Sequence, residues 1–139
     1  MTSTAELNSA AASGPVPGPL SAERRAELRE HLVDDRASTR ALIEQLAGDL
    51  ENFQGSRRDS AADDEHDPEG PTLAFEHSQS AAILGQTREH LAQIDDAIVR
   101  IDAGAYGICA TCGNEIPAAR LDVRPYSTQC VSCAGRARR

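Results

Sequence analysis

Cys109-Ala-Thr-Cys112, then seventeen residues, then Cys130-Val-Ser-Cys133: this stretch decides how the rest of the chain is read, and it holds all four of its cysteines. Two C-x-x-C pairs at this separation match a four-cysteine zinc site. Each pair forms a tight knuckle, and the segment between folds back to bring the knuckles together. Four thiolates then surround one Zn²⁺ tetrahedrally at about 2.3 Å. Every coordination position is taken by protein, so none remains for a catalytic water, which argues against zinc catalysis. Two disulfides would need an oxidising compartment, and residues 1–20 show neither a basic n-region nor an apolar h-region. A thioredoxin-like pair would explain one C-x-x-C and not the second. Iron–sulfur clusters use other spacings.

The composition fits a helical chain with a small core. The 139 residues include no Trp, two Phe and two Tyr, so a thick aromatic interior is not available. Ala, Leu and Ile supply most of the apolar content, which suits helices better than sandwiches. The net charge of −8 argues against a broad nucleic-acid footprint. A basic protein surface, or a metal-rich site, is the more natural electrostatic partner. All fourteen basic residues are Arg, for which no structural reason is apparent. No stretch approaches the roughly twenty apolar residues of a membrane span, and the expected compartment is the cytoplasm.

Outward from the cysteines, the chain divides into three parts. Residues 1–20 are rich in Ala, Ser, Thr, Gly and Pro, ending in Gly14-Pro-Val-Pro-Gly-Pro19. They read as a disordered tail, because they carry too little apolar surface to offset ordering. Residues 21–103 read as a helical hairpin. Its first helix starts at Ser21, a good N-cap, with Glu23 in the first turn where the helix dipole favours an anion. It runs to about Asn52 with an apolar stripe of Leu28, Leu32, Leu42, Ile43, Leu46, Leu50 and Phe53. Asp35, Arg36 and Arg40 weaken the middle of that stripe. The second helix begins near Pro71 or Thr72 and stops before Gly104. Its seam is Leu73, His77, Ser80, Leu84, Thr87, Leu91, Ile94, Ile98 and Ile101, alternating steps of four and three as in a coiled coil. Its apolar half lies nearest the cysteines. Each helix has an expected length of about 48 Å at 1.5 Å per residue.

A polar loop over about residues 54–71 joins the two helices and forms the tip of an antiparallel hairpin, since neither stripe can stay exposed. Asp59, Asp63, Asp64, Glu65, Asp67 and Glu69 concentrate six acids there. Acids at the end of a narrow rod would meet basic residues or a bound Mg²⁺ of a partner; a charge run of this kind also simply keeps a loop solvated. Residues 104–139 form the zinc finger and a basic C-terminal tail. Gly104 and Gly107 permit the turn out of the helix, and Gly113 supplies the left-handed residue after Cys112. Ile108, Ile116, Leu121, Val123 and Tyr126 are too few for a core without metal, so Zn²⁺ supplies most of the folding free energy of this part. Arg120 and Arg124 either offset the charge of the thiolate site or are solvated surface residues. His31, His66, His77 and His90 are scattered, and no nucleophile or phosphate-loop motif appears.

The finger also carries a family likeness. Gly104-Ala-Tyr106-Gly107-Ile-Cys109-x-x-Cys112-Gly113-x-x-Ile116-Pro117-x-x-Arg120-Leu121-x-x-x-Pro125, closing in Cys130-x-x-Cys133, resembles the DksA/TraR C4-type zinc-finger family over roughly the last thirty-five residues, well beyond cysteine spacing. The resemblance implies an all-α fold: a long coiled-coil hairpin on a small four-cysteine finger. It also implies a non-enzymatic transcription regulator that binds RNA polymerase directly and needs no DNA site of its own. In that family the hairpin enters the polymerase secondary channel, and an acidic tip alters open-complex stability, often together with ppGpp. Asp63, Asp64, Asp67 and Glu69 are the corresponding tip candidates, and Cys109, Cys112, Cys130 and Cys133 the ligands of one structural Zn²⁺. The tip departs from the family's Asp-x-x-Asp-x-Ala: here Asp64-Glu-His-Asp67-Pro-Glu69 puts Glu where Ala would stand. No complete ppGpp pocket can be matched. Two other functions fit the residues. One is a zinc-ribbon nucleic-acid binder using Arg120, Arg124 and the Arg tail. The other is a redox or zinc-sensing switch in which thiol oxidation ejects the metal.

Overall fold

The computed structural model describes residues 20–60 and 70–138. The tail over 1–19 and the tip residues Asp63, Asp64, Asp67 and Glu69 lie outside the described residues. Four helices follow in order: α1 (Ala22–Ser60), α2 (Gly70–Asp102), α3 (Ala118–Val123) and α4 (Val131–Ala137). The long pair packs as an antiparallel hairpin, and α3 and α4 belong to the finger at its root. Among the described residues no β-strand forms; Ile108 and Glu115 make one isolated antiparallel bridge.

The helix ends follow from local chemistry. The Ser21 hydroxyl accepts from the Arg24 amide at 3.1 Å, capping α1. At the far end of α2, Gly104 takes φ +75°. There the Gly104 amide donates to Ile101 at 3.1 Å and the Ala105 amide to Arg100 at 2.9 Å. This pair of bonds is a Schellman motif, which satisfies carbonyls that the last turn leaves open.

The α1 helix is longer than its sequence pattern indicates. Instead of ending near Asn52 it continues through Gln54-Gly-Ser-Arg-Arg to Ser60, within the stretch read as loop. Phe53 explains the continuation: its ring stacks on His77 of α2 at 4.9 Å, so the seam persists past the expected end. Arg57 lies over the other partner of that stack, 5.9 Å from the Phe53 centroid. Arg57 and Arg58 also place positive charge in the last turn, where the helix dipole favours it. At 39 and 33 residues the two helices are about 58 and 50 Å long.

The α2 seam is as its periodicity indicates: Leu84, Ile94 and Ile98 are buried, and Leu73, His77, Ser80, Thr87, Leu91 and Ile101 are partly so. On α1 the stripe shifts. Leu28 and Leu32 are buried, but Leu42 is 44% exposed. Thr39 takes the inward position at 6% exposure. Alternating steps of four and three from Leu28 through Leu32 and Asp35 reach Thr39, and at Leu42, one step further, the side chain is largely open to solvent. Thr39 is tolerated because its hydroxyl bonds to Asp35 Oδ1 at 3.3 Å.

One core joins root and finger. Leu28, Leu32, Ile94, Ala97 and Ile98 from the hairpin cluster with Tyr106, Cys109, Ile116, Leu121 and Cys133 from the finger. Ion pairs line the rim: Arg24 Nε bonds to Asp122 of the finger at 3.0 Å, and Arg29 Nε joins α1 to Asp102 at the end of α2 at 2.8 Å. The Arg29 guanidinium holds the Asp102 carboxyl below its ordinary range. Replacing Leu32, 1% exposed, by Ala should lower the unfolding free energy of zinc-loaded protein by about 3 kcal/mol. The Leu42→Ala change should cost less than about 1 kcal/mol. Urea titration followed by helical circular dichroism distinguishes the two, and equal costs would contradict the observed stripe.

Candidate metal centre and its relatives

The finger is built on two tight places in the backbone. Gly107 (φ +87°) and Gly113 (φ +73°) adopt left-handed conformations that a side chain would strain. Between them the chain doubles back: the Cys109 amide donates to Asn114 at 2.8 Å, Gly113 to Cys109 at 2.9 Å and Ile116 to Gly107 at 2.7 Å. The first knuckle is thus a closed loop with both cysteines inside it. The second is the N-terminus of α4, with Cys130 at the cap position and Cys133 in the first turn. The Ala110 amide donates to the Thr128 carbonyl at 2.8 Å, and the Gln129 side chain to Thr111 at 2.9 Å, which hold the two knuckles face to face.

This arrangement brings together the four sulfurs that the spacing predicts. The Sγ atoms of Cys109, Cys112, Cys130 and Cys133 all lie within 4.8 Å of one another, and all four cysteines are free. The Cys112 and Cys130 sulfurs are 3.9 Å apart. A tetrahedron of thiolates at about 2.3 Å from a zinc ion has edges of about 3.8 Å, so the residues present fit the metal. Cys109 and Cys133 are buried and Cys112 is exposed, so the site is reached from the Cys112 side. Amide hydrogens prepare the sulfurs for this role. Those of Cys112, first, and of Cys130 lower the Cys109 thiol to about 6, and the Cys130 amide stands 3.4 Å from Cys109 Sγ. Cys130 is lowered as well, chiefly by the Cys133 amide. Cys133 is pushed up to about 12, mainly by its hydrogen bond with Cys130. A bound Zn²⁺ would displace the remaining protons, because a coordinated thiol ionises outright.

Side chains behind the sulfurs fix the finger to the hairpin. Burial raises the Tyr106 phenol to about 12, so it stays protonated and donates to the Pro125 carbonyl at 2.6 Å. Tyr126 meets His90 of α2 edge-on at 4.9 Å. Arg120 donates from Nε to the Gln129 carbonyl at 2.8 Å, bracing the second knuckle. This brace is its resolved contact, while Arg124 is exposed. The bracing roles of Tyr106, Arg120 and Gln129 have no signature in composition or periodicity; the family pattern around the cysteines includes Tyr106 and Arg120, and nothing in the sequence singles out Gln129.

These features define a C4-type zinc finger, a structural site for one Zn²⁺, at the root of a helical hairpin. Residues 104–139 match the family described as prokaryotic DksA/TraR C4-type zinc finger. Over 86% of each chain the structure is similar to that of transcription factor DksA2 from Pseudomonas aeruginosa, with TM-score 0.69 and 23% identity. A second structure, described as the RNA polymerase binding protein and transcriptional regulator Dks from Chlamydia trachomatis, gives TM-score 0.50 and 23% identity, covering 86% of this chain and 93% of that one. Among sequences, the uncharacterized protein YteA of Bacillus subtilis is 31% identical over 109 residues. That match covers 73% of this chain, which spans 46% of YteA's own length.

Elemental analysis should find one Zn²⁺ per chain, with Cys112→Ser losing it on dialysis. Gly113→Ala keeps all four sulfurs but strains a left-handed residue. Because binding and folding of the finger are coupled, it should weaken zinc affinity roughly 5- to 30-fold. Competition with a chromophoric chelator measures this, and unchanged affinity would show that the knuckle does not need its positive φ.

Proposed function

We propose that this protein regulates transcription by binding RNA polymerase directly, its hairpin entering the polymerase secondary channel and its acidic tip acting near the active centre. The observation that supports this reading is the rod itself. The outermost ring contact between finger and hairpin is Tyr126 on His90. Beyond it α2 continues toward Gly70 for about 30 Å. Two paired helices have a cross-section of about 10 by 20 Å, slender enough for a channel, and they carry more acids than arginines, which disfavours a DNA-binding arm. The same architecture occurs in two proteins described as a transcription factor and as an RNA polymerase binding protein.

In this reading the two ends of the molecule divide the work. Zn²⁺ held by Cys109, Cys112, Cys130 and Cys133 is structural and fixes the root of the rod. Residues 61–69 connect the far end of α1 to the start of α2, so chain order brings Asp63, Asp64, Asp67 and Glu69 to the far end. Four carboxylates there would bias a basic or Mg²⁺-bearing active centre by direct electrostatics, which grows strong where water is excluded. With Glu69 standing where the family pattern has Ala, the direction of the regulatory effect is this protein's own. Among the described residues no helix is long and apolar enough to cross a membrane.

Core RNA polymerase should retain the zinc-loaded chain in a pull-down. Open-complex lifetimes should change on its addition, and Asp64→Ala/Asp67→Ala should abolish that change while leaving retention intact. Absence of any polymerase binding would sink the reading. Retention with lifetimes equally affected by wild type and variant would sink the tip assignment alone.

A further inference from the structure

The seam between α1 and α2 changes character along its length. At the root Leu28, Leu32, Ile94, Ala97 and Ile98 are buried in the core shared with the finger. Next comes a polar belt. Thr39 is buried with its hydroxyl on Asp35, the other Asp35 oxygen is 3.3 Å from His90 Nε2, and the Thr87 hydroxyl turns back to the Ile83 carbonyl at 2.7 Å. Beyond the belt Leu84 is buried, while Ile43, Leu46, Leu50, Phe53, Leu73, His77 and Ser80 are only partly covered.

Three further observations weaken the same far half. Gly48, Gly55 and Gly85 stand inside helices, where each costs backbone entropy relative to Ala. His77 Nε2 is buried with no hydrogen-bond partner, a desolvation that nothing offsets. Among the described residues the outermost ring contact from the finger falls at His90, short of this stretch, and helices in proteins draw most of their stability from packing rather than from propensity. The belt between the halves is a natural boundary, because its hydroxyl, carboxylate and imidazole groups exchange their bonds for water at small cost.

We infer that the hairpin consists of two cooperative units. The root, about residues 22–38 with 88–102, unfolds only together with the zinc finger. The far half, about 40–60 with 70–86, opens and recloses while the root and the finger stay folded. The reaching part of the rod thus has its own stability, set separately from the metal site. Any partner that grips the far half closed must first suppress this opening, so side chains that touch no partner help to set the rod's affinity.

The glycines make the inference testable. A Cβ at Gly48, Gly55 or Gly85 would meet nothing within 4 Å, and none of the three has a positive φ, so Ala fits at each without a clash. Native-state hydrogen exchange of the full zinc-loaded chain, read by mass spectrometry, reports both units. Amides within 43–58 and 72–83 should exchange at least roughly 100-fold faster than those within 26–34 and 92–100, as expected of separate cooperative units. Gly48→Ala and Gly85→Ala should each slow exchange in the far half about fivefold and leave the root unchanged. His77→Leu, which removes the unpaired nitrogen, should slow the far half as well. Equal protection along the whole hairpin, or alanine variants that slow root and far half alike, would show a single cooperative rod and overturn the inference.

Discussion

Ile94, Ala97 and Leu121 have no exposed surface at all, and they lie in one core. Two come from the hairpin and one from the finger, so neither part owns a complete interior. The finger has too few large apolar side chains to fold by burial, and its sulfurs must be drawn together by a metal. The root of the hairpin, in turn, would expose Leu28, Leu32 and Ile98 if the finger were absent. The metal site therefore acts at a distance: by shaping the finger it completes the surface on which the two long helices close. The interactions around that joint serve the same end. Tyr106 ties the finger's entry to Pro125, Arg24 and Arg29 clip the rim, and Tyr126 sets the last contact with the rod.

Away from the joint the physics is different. The rod is held by a two-helix seam with no third layer, and that seam alternates between apolar and polar rungs. Such a design sacrifices stability for slenderness, because covering the far half with another element would thicken it. A narrow, partly polar rod on a root packed against the finger agrees with the proposed reach into a confined space. The charge distribution agrees: the basic tail lies at the root, and chain order carries the acidic run to the opposite end.

Much of this was legible in the chain. The alternating four-and-three steps from Leu73 to Ile101 mark the α2 seam, and the structure buries Leu84, Ile94 and Ile98 and partly covers the rest. Gly104, Gly107 and Gly113 each stand where a positive φ is required. On α1 less is legible. Leu42 and Ile43 are adjacent in the stripe, and hydrophobicity alone cannot tell which of two neighbours faces the partner helix. It selected Leu42 over Thr39, since a threonine looks polar until its hydroxyl finds Asp35. The end of α1 was hidden for a similar reason. Gln-Gly-Ser-Arg-Arg looks like a loop in isolation, and becomes helical because Phe53 has a ring to stack against on another helix.

The sequence by itself determined the parts whose information is local: the cysteine spacing and hence the metal site, the glycines at forced turns, and the helical period of α2. Each of these depends on residues a few positions apart, so linear order suffices. Only the tertiary structure decided what depends on a neighbour remote in the chain. It set the register of α1 on α2, the burial of Thr39, the reach of α1 to Ser60 and the sharing of one core by root and finger. The physical reason is that burial is a property of pairs of surfaces. A helix can advertise an apolar stripe, but its partner settles which residues lie inside and where the stripe ends.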